Sequence, residues 1–305
     1  MINDLIKSWR VLLIAPLAAT SQNMDSLMNA MSAADEPPQF VTATFKTTRL
    51  INLHTIEQVK RGELDFRISH RFDDAAGAAG GISTLYGFDN VSDIRISFDY
   101  GLTDNWSVGF GRSKGAYIRR QIVDLNSKLK LVRQKTGGSP LSLSLYGAAE
   151  ISTMRSSTDV ESTAYYGKNP MHRISYVSQL LLARKFNNNL SVELAPTLVH
   201  RNLVHYTEAN TIFAMAAGFR YKFTKRIGVI FDYYHNFRSQ DVAATHVPPL
   251  GVGIEIETGG HVFHLLFSNN KSLLESQFLT QNADSWLRGQ FRFGFNISRV
   301  FNIVH

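Results

Sequence analysis

Beyond residue 60, the apolar residues of this chain fall on every second position, in segments too long for an ordinary soluble strand. In 62–72, Leu64, Phe66, Ile68 and Phe72 share one parity, while Glu63, Asp65, Arg67, Ser69 and Arg71 take the other. Segment 91–101 sets Ile94, Ile96, Phe98 and Tyr100 against Arg95, Ser97 and Asp99. Segment 140–152 opposes Leu141, Leu143, Leu145 and Ile151 to Ser142, Ser144, Tyr146 and Glu150. Near the C-terminus, Phe291, Phe293, Phe295 and Ile297 oppose Gln290, Arg292, Gly294 and Asn296. Side chains alternate between the two faces of a strand, so each segment has one apolar and one wet face.

A soluble sandwich alternates too, and three features separate it from a membrane barrel. Strands of roughly ten residues suit a tilted bilayer crossing, whereas soluble strands run to about 5–6. Aromatics gather at segment ends (Tyr100, Trp106, Tyr221, Phe223, Phe237, Phe267, Trp286, Phe301), as in the girdles at bilayer interfaces. The N-terminus reads as an export signal: Lys7 and Arg10, then the apolar run 11–19, then the small residues Ala19, Thr20 and Ser21. After that run no apolar stretch approaches the ~18 residues of a membrane helix. A mean hydropathy of -0.11 excludes a helical membrane protein but suits alternating strands.

Strands are expected at 62–72, 91–101, 105–113, 117–133, 140–152, 172–186, 189–202, 211–223, 226–238, 249–258, 260–269 and 287–301. Long links at 73–90, 153–171, 239–248 and 270–286 alternate with short ones at 102–105, 134–140, 187–189, 224–226 and 258–260. Short periplasmic turns and longer outer loops follow the barrel rule, and an even strand number returns both ends to one side. The fold class is therefore an all-β, antiparallel up-and-down transmembrane barrel of about 12 strands. The expected organisation is a signal peptide at 1–22, an N-terminal segment at 23–61 and a barrel at 62–301. Within 23–61, Met24, Leu27, Met28 and Met31 fall on one helical face; the segment is read either as a disordered leader or as a short helix that plugs the barrel or docks a periplasmic partner. Residues 41–52 would break the strand parity and are left outside the wall, either as a lumen insert or, if the count is wrong elsewhere, as an extra strand.

Several segments, TATFKTTRLIN, LDFRISHRF, LYGFDN, LYGAAEISTM, SQLLLARKF, PTLVHRN, PLGVGIEIETGGHVFH and GQFRFGFNISRVF, occur in order across 41–301. Together they resemble a family of uncharacterised β-barrel outer-membrane proteins of Gram-negative bacteria, known mainly as a domain of unknown function. The resemblance implies a barrel in the bacterial outer membrane, and it brings no catalytic or binding residues with it.

If the apolar parity faces lipid, the other parity lines the lumen. Its charged residues include Glu63, Asp65, Arg67, Arg71, Arg95, Asp99, Lys128, Glu150, Glu193, Asp232, Glu255, Glu257, Arg288 and Arg292. Charges confined in a narrow barrel must pair or face water. One reading is an ion-pair network filling a small lumen; the other is a charged eyelet selecting small polar solutes. Function is read accordingly as a small envelope channel or structural scaffold. The alternative is a lipid-modifying or hydrolytic outer-membrane enzyme, but no G-x-S-x-G elbow or other spacing singles out a catalytic trio. His261 and His264, three apart on a strand, are expected on opposite faces, with His264 sharing parity with neither Glu255 nor Glu257 unless the Gly259-Gly260 turn resets it. No metal, cofactor or thiol chemistry is expected in a chain with no cysteine. The net charge of +7 comes without a long basic run, so no nucleic-acid partner is expected. Lipid is the expected partner of the outer face. The last strand, with Phe291, Phe293, Gly294, Phe295 and Phe301, has the pattern of a C-terminal signal for the barrel-assembly machinery. Gly294 should face the lumen and tolerate substitution.

Overall fold

The computed structural model describes residues 39–167, 169–238 and 246–303. The expected signal peptide and the methionine-faced helix lie outside the described residues.

Twelve antiparallel strands close into a barrel: β1 (Glu63–Phe72), β2 (Val91–Thr103), β3 (Trp106–Lys114), β4 (Gln121–Val132), β5 (Ser142–Ser152), β6 (Ile174–Lys185), β7 (Leu190–Arg201), β8 (Thr211–Lys222), β9 (Ile227–Phe237), β10 (Leu250–Glu257), β11 (Val262–Ser268) and β12 (Arg292–Asn302). Each pairs with its neighbours in sequence, and β1 pairs with β12, with Ile68 opposite Ile297. Closure removes both sheet edges, which in lipid would leave backbone groups unsatisfied. The fourth strand starts later than the sequence suggests because 115–120 closes a turn of its own, with Gly115 N donating to Arg120 O at 3.0 Å. The last starts at Arg292 because a 3-10 turn over Trp286–Arg288 ends on Gly289 at φ 71, a left-handed conformation that favours glycine.

Burial is inverted relative to a soluble protein. Ile96, Phe98, Phe110, Leu125, Leu145, Leu194, Phe213 and Leu265 are exposed on the outside, whereas Arg67, Arg71 and Arg292 are among the largest fully buried side chains. An apolar exterior around a charged interior is the arrangement a bilayer demands. At the long-loop end, Phe72, Phe88, Phe293 and Phe295 form an aromatic stack, the Phe88–Phe293 centroids lying 5.3 Å apart. Position along the strand sets the cost of a charge. Ile297, mid-strand and lipid-facing, should lose about 2–4 kcal/mol on replacement by arginine, whereas Phe293→Arg, in the girdle, should lose about 0–1. Urea titrations of the refolded barrel would measure both, and equal costs would mean that the strand sits at a different depth.

Residues 39–61 form no part of the wall. They enter at the short-turn end, where Val41 N donates to Gln134 O at 2.9 Å, and leave at the same end, where Gly62 N donates to Gly101 O at 3.0 Å. Between these points the chain reaches into the lumen and reverses, with Thr55 N donating to Thr48 O at 3.0 Å and Leu50 N to Leu53 O at 2.8 Å. A second insert descends from the opposite end. The 270–286 link, expected as an outer loop, folds inward instead and carries a short helix, α1 (Glu275–Gln281), with Asn269, Asn270 and 272–280 buried.

These inserts account for a second departure from expectation, because the lumen face is not charged all round. On β6–β9 its residues are mostly apolar: Val177, Leu181, Ala195, Ala214, Ala216 and Ile230 face inward and pack with Leu50, Leu53, Ile56, Phe278 and Leu279. Inward apolar side chains have no use in a water-filled pore. They are buried here because the inserts supply the other half of a protein core.

Candidate functional site: the occupied lumen

The tip of the first insert sits on one carboxylate. Asp232 on β9 accepts hydrogen bonds from three successive backbone N–H groups, those of Ile51 (3.1 Å), Asn52 (2.6 Å) and Leu53 (2.9 Å), and from Asn52 Nδ2 at 3.1 Å. Close packing at the tip depends on glycine. A Cβ on Gly218 of β8 would lie 2.6 Å from Leu50 Cδ1, and one on Gly251 of β10 would lie 2.8 Å from Ile51 Cγ2. Arg71 on β1 holds the same turn from the other side, donating to Ile51 O at 3.1 Å, Asn52 Oδ1 at 3.3 Å and Asn296 Oδ1 at 3.1 Å.

Further down the insert, Lys128 on β4 donates to the carbonyls of Thr48 (3.3 Å), Thr55 (2.8 Å) and Glu57 (3.0 Å). Glu193 on β7 accepts from Ile56 N at 2.9 Å. The second insert is held in the same way. Asp93 on β2 accepts from Leu273 N at 3.0 Å, and Glu150 on β5 accepts from Ser276 N at 3.3 Å and from the Ser276 hydroxyl. The two inserts meet in the lumen, where Arg49 lies 3.5 Å from Glu275 and His54 stacks on Tyr146 with centroids 3.7 Å apart. Burial, reinforced by the charge on Arg49, holds the His54 imidazole well below its usual range. Burial pushes the Glu275 carboxyl up, and Arg49 opposes it.

The remaining lumen charges pair with one another. Arg95 grips Asp124 through Nε (3.0 Å) and Nη2 (2.6 Å), reaching across Gly111 of the intervening strand. Arg67 meets Asp65 at 3.2 Å, and Arg292 meets Asp284 at 2.6 Å. Arg220 binds one oxygen of Glu255 at 2.5 Å and His264 approaches the other at 3.2 Å. That last contact settles the His264 parity: the 258–261 turn does reset it, and His264 pairs opposite Glu255. Asp99 is half-buried on the inward face of β2. Glu63 and Glu257 lie at the short-turn rim, Glu63 accepting from Lys60 N at 2.9 Å and Glu257 pairing with Lys46 at 2.5 Å. Arg288 is not in the lumen at all; it is exposed on the outer 3-10 turn and donates to Ala283 O at 2.7 Å. Below the first insert, toward the short turns, is a cavity of about 860 Å³ lined in part by Thr42, Lys46, Glu57, Lys60, Asp104 and Arg133.

A closed twelve-strand wall, apolar outside and charged within, is matched over residues 45–301 by the family described as "Membrane bound beta barrel domain (DUF5777)". The chain belongs to this family. It is a membrane-bound β-barrel, crossing the bilayer with strands. No curated protein matched its sequence. Among solved structures it is similar to the NanC porin (9% identity, 79% of this chain and 100% of that one, TM-score 0.46). It is also similar to the KdgM porin in complex with disordered oligogalacturonate (9% identity, 78% and 99%, TM-score 0.47). A third is the COG4313 outer membrane channel from Pseudomonas putida F1 (13% identity, 81% and 98%, TM-score 0.48).

In this family member the C-terminal aromatics all lie on the outer side. Phe291 precedes the last strand and stacks on Trp286 at 4.9 Å, Phe293 and Phe295 face lipid, and Phe301 lies beneath the Arg299 guanidinium at 4.8 Å. Gly294 faces inward but leaves no room for substitution: a Cβ there would lie 2.7 Å from His70 O and 2.8 Å from Arg71 Cδ. The expectation of tolerance at Gly294 therefore fails, because that glycine admits the arginine that grips the insert. What sequence reasoning missed was the identity of the partners. Asp232, Arg71, Lys128, Glu150 and Glu193 were singled out as lumen charges, but their partners lie on the inserts. The lumen-facing glycines at 111, 218, 251 and 294 were the available signal, since each marks a place where something presses against the wall.

Proposed function

We propose that this barrel is a sealed envelope scaffold in its resting state, its lumen closed by its own two inserts, and that any channel activity requires the inserts to leave. The observation that carries this reading is the seat on Asp232, where a buried carboxylate takes three consecutive backbone N–H groups of a segment that is not part of the wall. A hydrated eyelet would leave such groups to water; here they are dry and matched. Planar-bilayer recording of the intact protein should show conductance near zero, and steady conductance from the unmodified chain would sink the reading.

Orientation follows from the links: short turns in the periplasm and long loops outside. Thr158→Cys should therefore label on intact cells with an impermeant thiol reagent and Asn188→Cys should not; the reverse pattern would invert the barrel. The lipid-facing aromatics of β12 are the handle by which assembly machinery would recognise the strand that closes against β1.

A further inference from the structure

The short-turn ends of β6–β9, periplasmic in the orientation proposed above on which this inference rests, have an unusual charge distribution. Segments 184–192 and 217–231 contain Arg184, Lys185, Arg220, Lys222, Lys225 and Arg226 and not one acid. Two of these cations are used internally: Arg220 by Glu255 at 2.5 Å, and Lys185 by Thr42 O at 2.8 Å. Arg184, Lys225 and Arg226 are exposed, and none of the three is in an ion pair among the described residues. On the adjoining β10, Glu257 donates its N–H to Arg226 O, and its carboxylate is taken by Lys46 at 2.5 Å; Glu193 and Asp232, which follow the two segments, face the lumen.

Directly beside this collar the lipid-facing wall is indented. Ala217 is the small outward residue on β8 among large neighbours, and a groove of about 340 Å³ opens there. It is apolar throughout and lined by Leu190, Val192, Ala217, Phe219, Tyr221 and Phe231. Phe219 and Phe231 stack at 5.3 Å and form one side of it, and Tyr221 meets Phe223 at 5.2 Å near its mouth. From Ala217 to Lys222 is five residues, roughly 17 Å along the strand. At a tilt of about 35–45° that covers about one leaflet of a hydrocarbon core roughly 30 Å thick. The groove thus runs from mid-bilayer to a cationic, aromatic-lined rim.

We propose that the β6–β9 wall holds one anionic phospholipid of the periplasmic leaflet, its acyl chain in the Ala217 groove and its phosphate headgroup against Arg184, Lys225 and Arg226. The apolar groove provides the fit for the chain, and the acid-free collar provides the choice of headgroup. Neither the sealed lumen nor its inserts are involved.

Native mass spectrometry of the intact, detergent-extracted protein with added phosphatidylglycerol or phosphatidylcholine tests this. One phosphatidylglycerol should be retained more tightly than phosphatidylcholine, by roughly fivefold for each cation engaged. Lys225→Gln combined with Arg226→Gln should bring the two lipids close together, and Ala217→Phe should reduce retention of both. Heat-modifiable gel migration would confirm that the variants are folded; should Ala217→Phe fail to assemble, the double substitution on the exposed turn still decides. Equal retention of both lipids by the unmodified protein would overturn the proposal, as would undiminished phosphatidylglycerol on folded Ala217→Phe.

Discussion

Replacing Asp232 by alanine is expected to cost about 3–5 kcal/mol, the scale seen when one partner is removed from a buried charged pair, and to make a silent barrel conduct. The loss has two parts. Three backbone N–H groups and one amide lose their acceptor at the insert tip, and each buried orphan donor costs about 1–3 kcal/mol unless water reaches it. The Arg71 guanidinium also loses the anion nearest the turn it grips. These donors can recover partners only if the tip moves toward water, so the penalty itself drives the insert out of its seat. Asp232→Asn separates charge from shape. It can keep the one oxygen on which all three backbone N–H groups converge, while its NH2 replaces the oxygen that accepts from Asn52 Nδ2, so it should fall between wild type and alanine in stability. Urea titration of the refolded barrel and single-channel recording on the same preparations would give both readouts. Lost stability without conductance would mean that the second insert seals the lumen alone, and Asp232 would then be a stabilising contact rather than the seat of the closure.

The wall was legible in the sequence because its physics is periodic. Strand parity depends on side chains alternating across a pleat, and Leu64, Phe66 and Ile68 declare their face without knowledge of any partner. The same regularity kept residues 41–52 out of the wall, since a thirteenth strand could not close antiparallel on β1. The lumen was not legible in this way, because its contacts join positions far apart in sequence with no repeat to relate them. Asp232 and Asn52 are separated by 180 residues, and Ser276 and Glu150 by 126. Nothing in SNNKSLLESQFLTQ, read alone, distinguishes a polar outer loop from a segment folded inward. Its serines and asparagines are as suited to capping buried carboxylates as to meeting water. The lumen-facing apolar residues of β6–β9 and the glycines opposite the inserts were the visible clues. Each required assuming that something filled the barrel before it could be interpreted. Arg288 misled because its parity was counted through 287–291, where the chain is a turn rather than a strand.

Arg95→Ala bears on whether the lumen charges are packed or wet, and about 3–5 kcal/mol should again be lost. The guanidinium lies between β2 and β4 in a bidentate grip on Asp124, and both side chains are almost wholly inaccessible, at 3% and 1% exposure. Gly111 on β3 makes the reach possible, since any side chain there would occupy the space of the ion pair. Removing the arginine leaves a carboxylate without its counter-charge in a dry interior, and the barrel must either protonate it, admit water or loosen. A hydrated eyelet behaves otherwise: water would screen Asp124, stability would barely change, and ion selectivity would move toward cations. A double substitution distinguishes the interaction from mere loss of volume. Arg95→Met with Asp124→Leu removes both charges and keeps apolar bulk, so it should recover most of the stability lost by Arg95→Ala, since buried ion pairs are often replaceable by packed apolar groups. Urea midpoints for Arg95→Met, Asp124→Leu and the double, taken as a cycle, give the coupling directly. A coupling near zero, together with a conducting wild type whose selectivity shifts in Arg95→Ala, would place water around this pair and open the lumen that the inserts are argued to fill.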